Sequence, residues 1–453
     1  MKKNIYKLLF FTAFVAMVSC NKRLDVTPAQ SIDQADALKT NSDVQVALVG
    51  SYTQLGATYL YGGRMFVMSE LLGDYNELIW SGTFQQLTQM YNKTVPVNSS
   101  FVANTWLAGY TAINTANNVL SAISVVDAAN KNKFEGEAKF LRAAAYFELV
   151  KLYAKDWSNG DPNTNAGIPL VLTPTRAITE ADKVARAKVA AVYGQIIADL
   201  VDAEAKLPVS NGFFATKNAA AALLARVYLQ KRDYANARDA ANRVISSNRY
   251  SLAGYYGDAF PYNGGNPFGN TIEDIFAMQV TTNSGVNDFQ TFFSADSRGD
   301  ITISDDHLIL YEAADERQDL FYSSGGSVYN GKNDNVYGNV HTIRLAEMYL
   351  IRAEANFRLG TVVGTTPLND LNRIRNRVAL ASKGSITLDD ILIERKLELA
   401  FEGFNLSDIK RLGVSTGYFT GGGGLAATSP KLVLPIPERE LRVNPNLTQN
   451  EGY

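Results

Sequence analysis

Apolar positions in this chain recur mostly at helical spacing, and one stretch carries nearly every boundary signal a helix can have. Between Ile343 and Leu412 the pattern predicts three packed helices. Ala346, Leu350, Ala353 and Phe357 share one face of the first, which Gly360 stops. Thr366 as N-cap and Pro367 as first residue open the second, whose apolar face is Leu368, Leu371, Ile374 and Val378. Thr387 and Asp390 make a capping box for the third, with Ile393, Leu397, Ala400 and Phe401 facing one way until Gly403 ends it. Asp408, Lys410 and Arg411 then read as a short polar turn.

The same period appears upstream. Helices are predicted from Asp33 to Leu55, Met65 to Leu72, Trp106 to Val126, Phe134 to Tyr153 and Val184 to Leu207. Lys217 to Ile245 follows the tetratricopeptide scheme, with Leu224, Ala225 and Tyr228 on one helix and Ala237, Ala241 and Val244 on the next. Such units cannot bury their faces alone, so several must stack. From Ser251 to Val340 the period fails, and Gly, Asn, Asp and aromatic residues dominate, as in GYYGDAFPYNGGNPFGN. A stretch this long inside a compact domain is functional or an inserted lobe. The expected fold class is therefore mainly α. It is a tetratricopeptide-like scaffold with repeat helices about 134–250 and 343–412, and a large irregular, loop-rich excursion about 251–340. All of it lies in a single domain, 33–453.

The N-terminus has a different character. Lys2, Lys3 and Lys7 precede an apolar run from Leu8 to Val18, which has the charge and length of a secretory signal peptide over 1–19. The run is too short to span a bilayer as a helix. Cys20 follows directly and is the only cysteine in the chain, so it has no disulfide partner within it. Its position looks like a lipoprotein cleavage site with the cysteine acylated; a lipid chain such as palmitate would anchor the protein. The polar residues 20–32, with Pro28, read as a tether.

Composition narrows the chemistry. Hydrophobic residues make up 46% and charged residues 19%, enough for a sizeable core. The formal net charge is −2 with no basic stripe, which argues against nucleic acid. Gly326, Gly331 and Lys332 approach a phosphate-binding loop, but Asn333 stands where Ser or Thr should hold magnesium. With only His307 and His341 and no second cysteine, a zinc site of usual composition is nearly excluded. The polar run Asn330 to Asn339 lacks the spacing of a calcium loop. No metal or cofactor is expected.

Several segments carry a family resemblance: IRLAEMYLIRAEA, LNRIRNR, ERKLELAFEG followed by SDIKRLG, and the C-terminal LPIPERELRVNPNLTQNEGY. Together they closely resemble the SusD/RagB family of outer-membrane glycan-binding lipoproteins, and the likeness extends over nearly all of the chain after Cys20. Phe404 and Asn405 stand where that family usually has an Arg. The resemblance implies a SusD-like fold and a non-enzymatic, surface-exposed lipoprotein. Such a protein captures oligosaccharide or polysaccharide and passes it to a SusC-like TonB-dependent transporter of the outer membrane.

A sugar ring has an apolar C–H face and a rim of hydroxyls, so its capture calls for flat aromatic surfaces beside amides or carboxylates. The irregular segments supply these. Tyr75, Asn76, Trp80 and Tyr91 lie in one, and Tyr256, Tyr262 and Asn263 in the other; these are the candidate ligand-binding residues. Trp80 is either an exposed platform or a plug in the core of a neighbouring helix, and the sequence leaves both open. Within the family, capture of a peptide or another nutrient is the alternative. A pure interaction scaffold is a further one. Glu394, Glu398 and Glu402, four apart on one helical face, raise the question of glycoside hydrolysis. Interleaved Arg395, Lys396, Lys410 and Arg411 instead favour an ion-paired structural seam.

Overall fold

In this computed structural model the described residues are 37–176, 179–262 and 264–453. The predicted leader, Cys20, the tether and Asn263 lie outside them. Helix α1 (Asn41–Leu55) starts at a capping box: the Thr40 hydroxyl accepts from the Asp43 N–H, and the Asp43 carboxylate accepts from the Thr40 N–H. Then come α2 (Arg64–Gly73), strand β1 (Leu78–Trp80), α3 (Gln85–Tyr91), α4 (Ser100–Ser121) and α5 (Ala128–Tyr153). Strands β2 (Ala166–Pro169) and β3 (Arg186–Lys188) lead into α6 (Val189–Lys206), α7 (Lys217–Gln230) and α8 (Tyr234–Ser246). The excursion holds β4 (Asp274–Met278), α9 (Asp288–Phe293), β5 (Ile301–Ile303), α10 (Asp305–Leu308), β6 (Phe321–Ser324) and β7 (Ser327–Asn330). Strand β8 (Val340–Arg344) closes it. After it follow α11 (Leu345–Leu359), α12 (Pro367–Arg377), α13 (Leu388–Glu398), α14 (Asn405–Leu412) and α15 (Glu438–Val443).

The helices pack in a ladder within the unit Thr40–Tyr453. Helix α1 lies on α4, α4 on α5, α5 on α6, α6 on α7 and α7 on α8; α8 then meets α11, which also carries α12 and α13. The tetratricopeptide scheme over 217–246 is present as α7 and α8. Ala225, Ala237 and Ala241 are all fully buried at the crossing, where small side chains let two backbones approach. The strands form four antiparallel pairs, β1 with β5, β2 with β3, β4 with β8 and β6 with β7. Strand β4 is buried along its whole length beside β8. Among the described residues no helix is long and apolar enough to cross a membrane.

Around α13 the structure departs from the pattern. Thr366 and Thr387 cap α12 and α13 as expected. Helix α13, however, ends at Glu398 instead of running to Gly403, and Phe401 adopts a left-handed φ of 62°. Ile391 takes the fully buried position expected of Ile393, and Phe357 is 37% exposed. Asp408, Lys410 and Arg411 do not form a turn. They belong to α14, held inward by Leu406 and Ile409 and by partners for each charge. Arg411 pairs with Glu354 at 2.8 Å, and Lys410 donates to the Lys151 carbonyl at 2.6 Å.

The buried face of α13 is largely ionic. Glu398 is fully buried and receives Arg377 at 2.6 Å and Arg344 at 3.1 Å. Glu394 receives Arg317 at 2.7 Å, while Glu402, just beyond the helix, receives Arg344 at 2.7 Å and Lys332 at 2.9 Å. Lys332, from the glycine-rich turn that approached a phosphate loop, also donates to the carbonyls of Glu398 and Ala400 and so caps the end of α13. Arg344 reaches Glu273 at 2.9 Å and ties β8 to the residue before β4. Buried charges of this kind need an opposite charge beside them, and removing one partner costs about 3–5 kcal/mol.

Burial alone would raise the Glu402 carboxyl, but Arg344 and Lys332 hold it at about 2. Unfolded, it would titrate near its ordinary value of about 4.3. Its contribution to stability is therefore present above that value and is lost as pH falls towards about 2. Glu398→Ala should lower the unfolding free energy by about 3–5 kcal/mol in a urea titration at pH 7. A loss under 1 kcal/mol would mean the seam is not a structural one.

Candidate ligand-binding face

Four of the candidate residues are built onto one short segment. Helix α2 runs to Gly73, where a Cβ would lie 2.8 Å from the Leu406 N of α14, so α2 and α14 meet backbone to backbone. The Asp74 carboxylate then accepts from the N–H groups of Glu77 and Leu78, at 3.1 and 2.9 Å, and turns the chain. Asn76 is exposed with φ of 64°, and its carbonyl accepts from the Ser304 hydroxyl. Glu77 points inward. It pairs with Lys396 of α13 at 2.9 Å and with His307 at 2.7 Å. Burial alone would raise Glu77, yet Lys396 and His307 bring its carboxyl down to about 2, so it stays charged and anchors the turn.

Strand β1 then pairs with β5, Leu78 opposite Ile303 and Trp80 opposite Ile301. Trp80 is half-buried. Its indole N–H donates to the Thr88 hydroxyl at 2.8 Å, and its ring lies 6.2 Å from Phe292 at a tilt of 47°. A Cβ at Gly82 would come within 2.5 Å of Trp80 Cζ2 and 2.6 Å of Asp300 Cγ, so only glycine lets the ring lie back against that turn. The side chain is thus neither the free platform nor the core plug between which the sequence could not choose. Tyr91 donates its hydroxyl to the Leu78 carbonyl at 3.1 Å and stands beside the same strand. Tyr75 packs against the glycine-rich loop, where a Cβ at Gly417 or Gly423 would meet its ring or hydroxyl at 2.7 Å.

The second group does not assemble with the first. Tyr256 has no exposed surface; it lies in a core cluster with Phe260, Val378 and Leu380, and its hydroxyl donates to the Glu398 carbonyl. It is therefore a core residue, corrected from a ligand contact, because the amphipathic break at Gly254 and Gly257 conceals an inward-facing ring. Tyr262 is 59% exposed.

Other residues of the face come from the excursion and carry no local signal in the sequence. Arg298 lies over the half-buried Phe84 ring at 4.7 Å, pairs with Asp300 at 2.7 Å and reaches the Thr83 hydroxyl at 3.2 Å. Below them Arg64 sits among the rings of Tyr59, Phe84, Phe101 and Phe292, between 4.7 and 5.7 Å away, and is neutralised by Asp288 at 2.6 Å. On the β6–β7 hairpin Tyr322 and Tyr329 stack at 5.7 Å, and a Cβ at Gly299 would lie 3.0 Å from Tyr329. The result is a run of part-exposed rings interleaved with a guanidinium, a carboxylate and hydroxyls. Among the described residues no group of three or more His, Cys, Asp or Glu could hold a metal ion.

Fold and face together define a helical-repeat scaffold that carries an aromatic surface on irregular segments. Residues 24–229 match the family described as "Starch-binding associating with outer membrane", and residues 320–453 match the SusD family. The chain belongs to the SusD/RagB family. It is similar to SusD-like protein P2 of Formosa agariphila, with 28% identity over the full length of both chains. A shorter likeness links it to the starch-binding protein SusD of Bacteroides thetaiotaomicron, 34% identical over 25% of this chain and 22% of that one. Among solved structures, a SusD superfamily protein from the same bacterium superposes with a TM-score of 0.79 at 27% identity, covering 91% of this chain and 99% of that one. The description of the family matched over residues 24–229 names starch binding and association with the outer membrane.

Trp80→Ala should cost about 1–3 kcal/mol in urea unfolding, as expected when a half-buried ring and one hydrogen bond are removed. A loss under 0.5 kcal/mol would mean the ring stands free, and one above 3 kcal/mol would make it part of the core.

Proposed function

We propose that this chain is a surface-exposed, lipid-anchored protein of the outer membrane. It binds oligosaccharide across the Trp80 face and delivers it to a partner SusC-like TonB-dependent transporter. The observation that carries this reading is the mixed character of that face. Trp80 and Tyr329 offer part-exposed ring surface to the C–H side of a sugar, and Arg298, Thr83 and Asn76 offer donors and acceptors to its hydroxyls. The Trp80–Thr88 hydrogen bond and the β1–β5 pairing hold the rings before any ligand arrives, which reduces the ordering cost of binding.

Catalysis by the glutamate helix is not part of this reading. Glu394 and Glu398 are 2% and 0% exposed, and their oxygens are occupied by Arg317, Arg344 and Arg377, which leaves no room for a glycosidic bond between them. The anchor rests on the leader pattern and on Cys20 as the first residue after it.

Two measurements test the proposal. Calorimetric titration with neutral oligosaccharides of different linkage should find at least one ligand whose affinity falls tenfold or more in both Trp80→Ala and Arg298→Ala. Unchanged affinity in both variants would remove this face from the function. Cys20→Ala should move the protein from the membrane fraction to the soluble one; fatty-acid label persisting in the variant would rule out Cys20 as the lipid site.

A further inference from the structure

A second cleft lies elsewhere among the described residues. It holds about 430 Å³ between the C-terminal half of α1, the loop before α7, and β4 with the turn after it. That volume lies within the range of small-molecule sites, about 300–1,000 Å³. Its walls are Tyr52, Phe214, Phe276 and Met278, with Phe213, Val49 and Val286 at the mouth. Phe213 is 57% exposed and Val49 46%, although both sit on a wall of aromatic side chains.

The walls are fixed. The Tyr52 hydroxyl donates to Glu137 at 2.7 Å and accepts from the Ala215 N–H at 2.9 Å, and its ring centre lies 4.8 Å from that of Phe214. Phe276 is held from behind by Phe140, edge to face at 4.9 Å. The turn that closes the far side is tight: Gly285 has φ of 89°, and a Cβ there would lie 2.5 Å from the Gln279 carbonyl oxygen.

The chemistry of the lining restricts the occupant. It contains no charged residue. Several polar groups around it are already committed: Tyr52 as described, Thr53 to the Val49 carbonyl, and the Gln279 amide to Asn270 and the Ala277 carbonyl. Gln54, Thr58 and Ser284 are the uncharged polar side chains left in the lining. An ion would be desolvated here without a counter-charge. A pyranose, ringed by hydroxyls, would press most of them against Phe276 and Met278 without partners. A flat, apolar ring with one hydroxyl or carbonyl meets neither penalty.

We infer that this cleft is a second binding site, separate from the Trp80 face, that takes an uncharged aromatic molecule of one or two rings bearing a single hydrogen-bonding group. The inference does not depend on the glycan reading, because none of its lining residues belongs to that face. Phe213 and Val49 border the ligand's edge, and one ring of the tilted Tyr52–Phe214 pair faces its plane.

The test is equilibrium dialysis of the purified full-length protein against 2-naphthol and against 2-naphthalenesulfonate, which carries a charge on the same rings. The protein should bind one equivalent of 2-naphthol saturably and bind the sulfonate at least tenfold more weakly. Phe213→Ala and Val49→Arg, both at exposed positions, should each weaken 2-naphthol binding at least tenfold. Uptake unchanged by both variants would be partitioning into lipid or surface and would overturn the proposal, as would equal binding of the sulfonate or no saturable binding. Trp80→Ala is the control and should leave 2-naphthol binding unchanged.

Discussion

The turn that carries the aromatic face is anchored through the pairing of buried charges. Helix α13 enters the core with Glu394 and Glu398 on its inner face, and neither could stay there alone. Their partners come from four places: Arg317 from the excursion, Arg344 from β8, Arg375 and Arg377 from α12, and Lys332 from the turn after β7 through Glu402. Each element is therefore held in register by a charge it must satisfy. Apolar cores tolerate sliding and repacking, whereas moving any one of these elements would separate a buried guanidinium from its carboxylate. Through Lys396 and Glu77 the same constraint reaches the turn that carries Tyr75, Asn76 and Trp80.

That arrangement also explains what the sequence could and could not convey. Local rules located α11 and α12 well, because Gly360, Thr366 and Pro367 act on their immediate neighbours. They failed on α14: the ion-paired role of Lys410 and Arg411 was legible from the charges interleaved with the glutamates, but Asp408, Lys410 and Arg411 read as a short polar turn. Their partners, Glu354, Arg395 and the Lys151 carbonyl, lie far away in sequence or on other helices. Period analysis counts only apolar residues, so a helix with a buried ionic stripe reads as exposed. The face was half legible for a similar reason. Tyr75, Asn76, Trp80 and Tyr91 share one segment and could be grouped by eye. Arg298, Asp300 and Tyr329 join them only through strand pairing and the hairpin, and Tyr256 was misplaced because an irregular stretch gives no period from which to tell inward from outward.

The two proposed sites call for different physics. At the Trp80 face the rings alternate with charge and stay wet, so an occupant keeps part of its hydration and gains specificity from hydrogen bonds. In the cleft beside Tyr52 there is no charge to steer or repel, and affinity comes from the area removed from water. Loss of a polar group should therefore be felt sharply at the first and weakly at the second.

The pairing of β1 with β5 has a consequence for the order in which the molecule is made. Ser81 and Asp300 are bonded across 219 residues, and the ladder helices α4 to α8 lie between them in the chain. Closing so long a loop gains little until the intervening repeats have compacted, and contacts of this separation form late. The helices can nucleate locally as the chain emerges, but the aromatic face has no partial form; it is complete only once the excursion has returned. A chain stalled or cut before Asp300 would keep much of the scaffold and none of the strand partner that sets Trp80. A completed strand pair beneath Trp80 thus marks a molecule whose distant segments have already found one another.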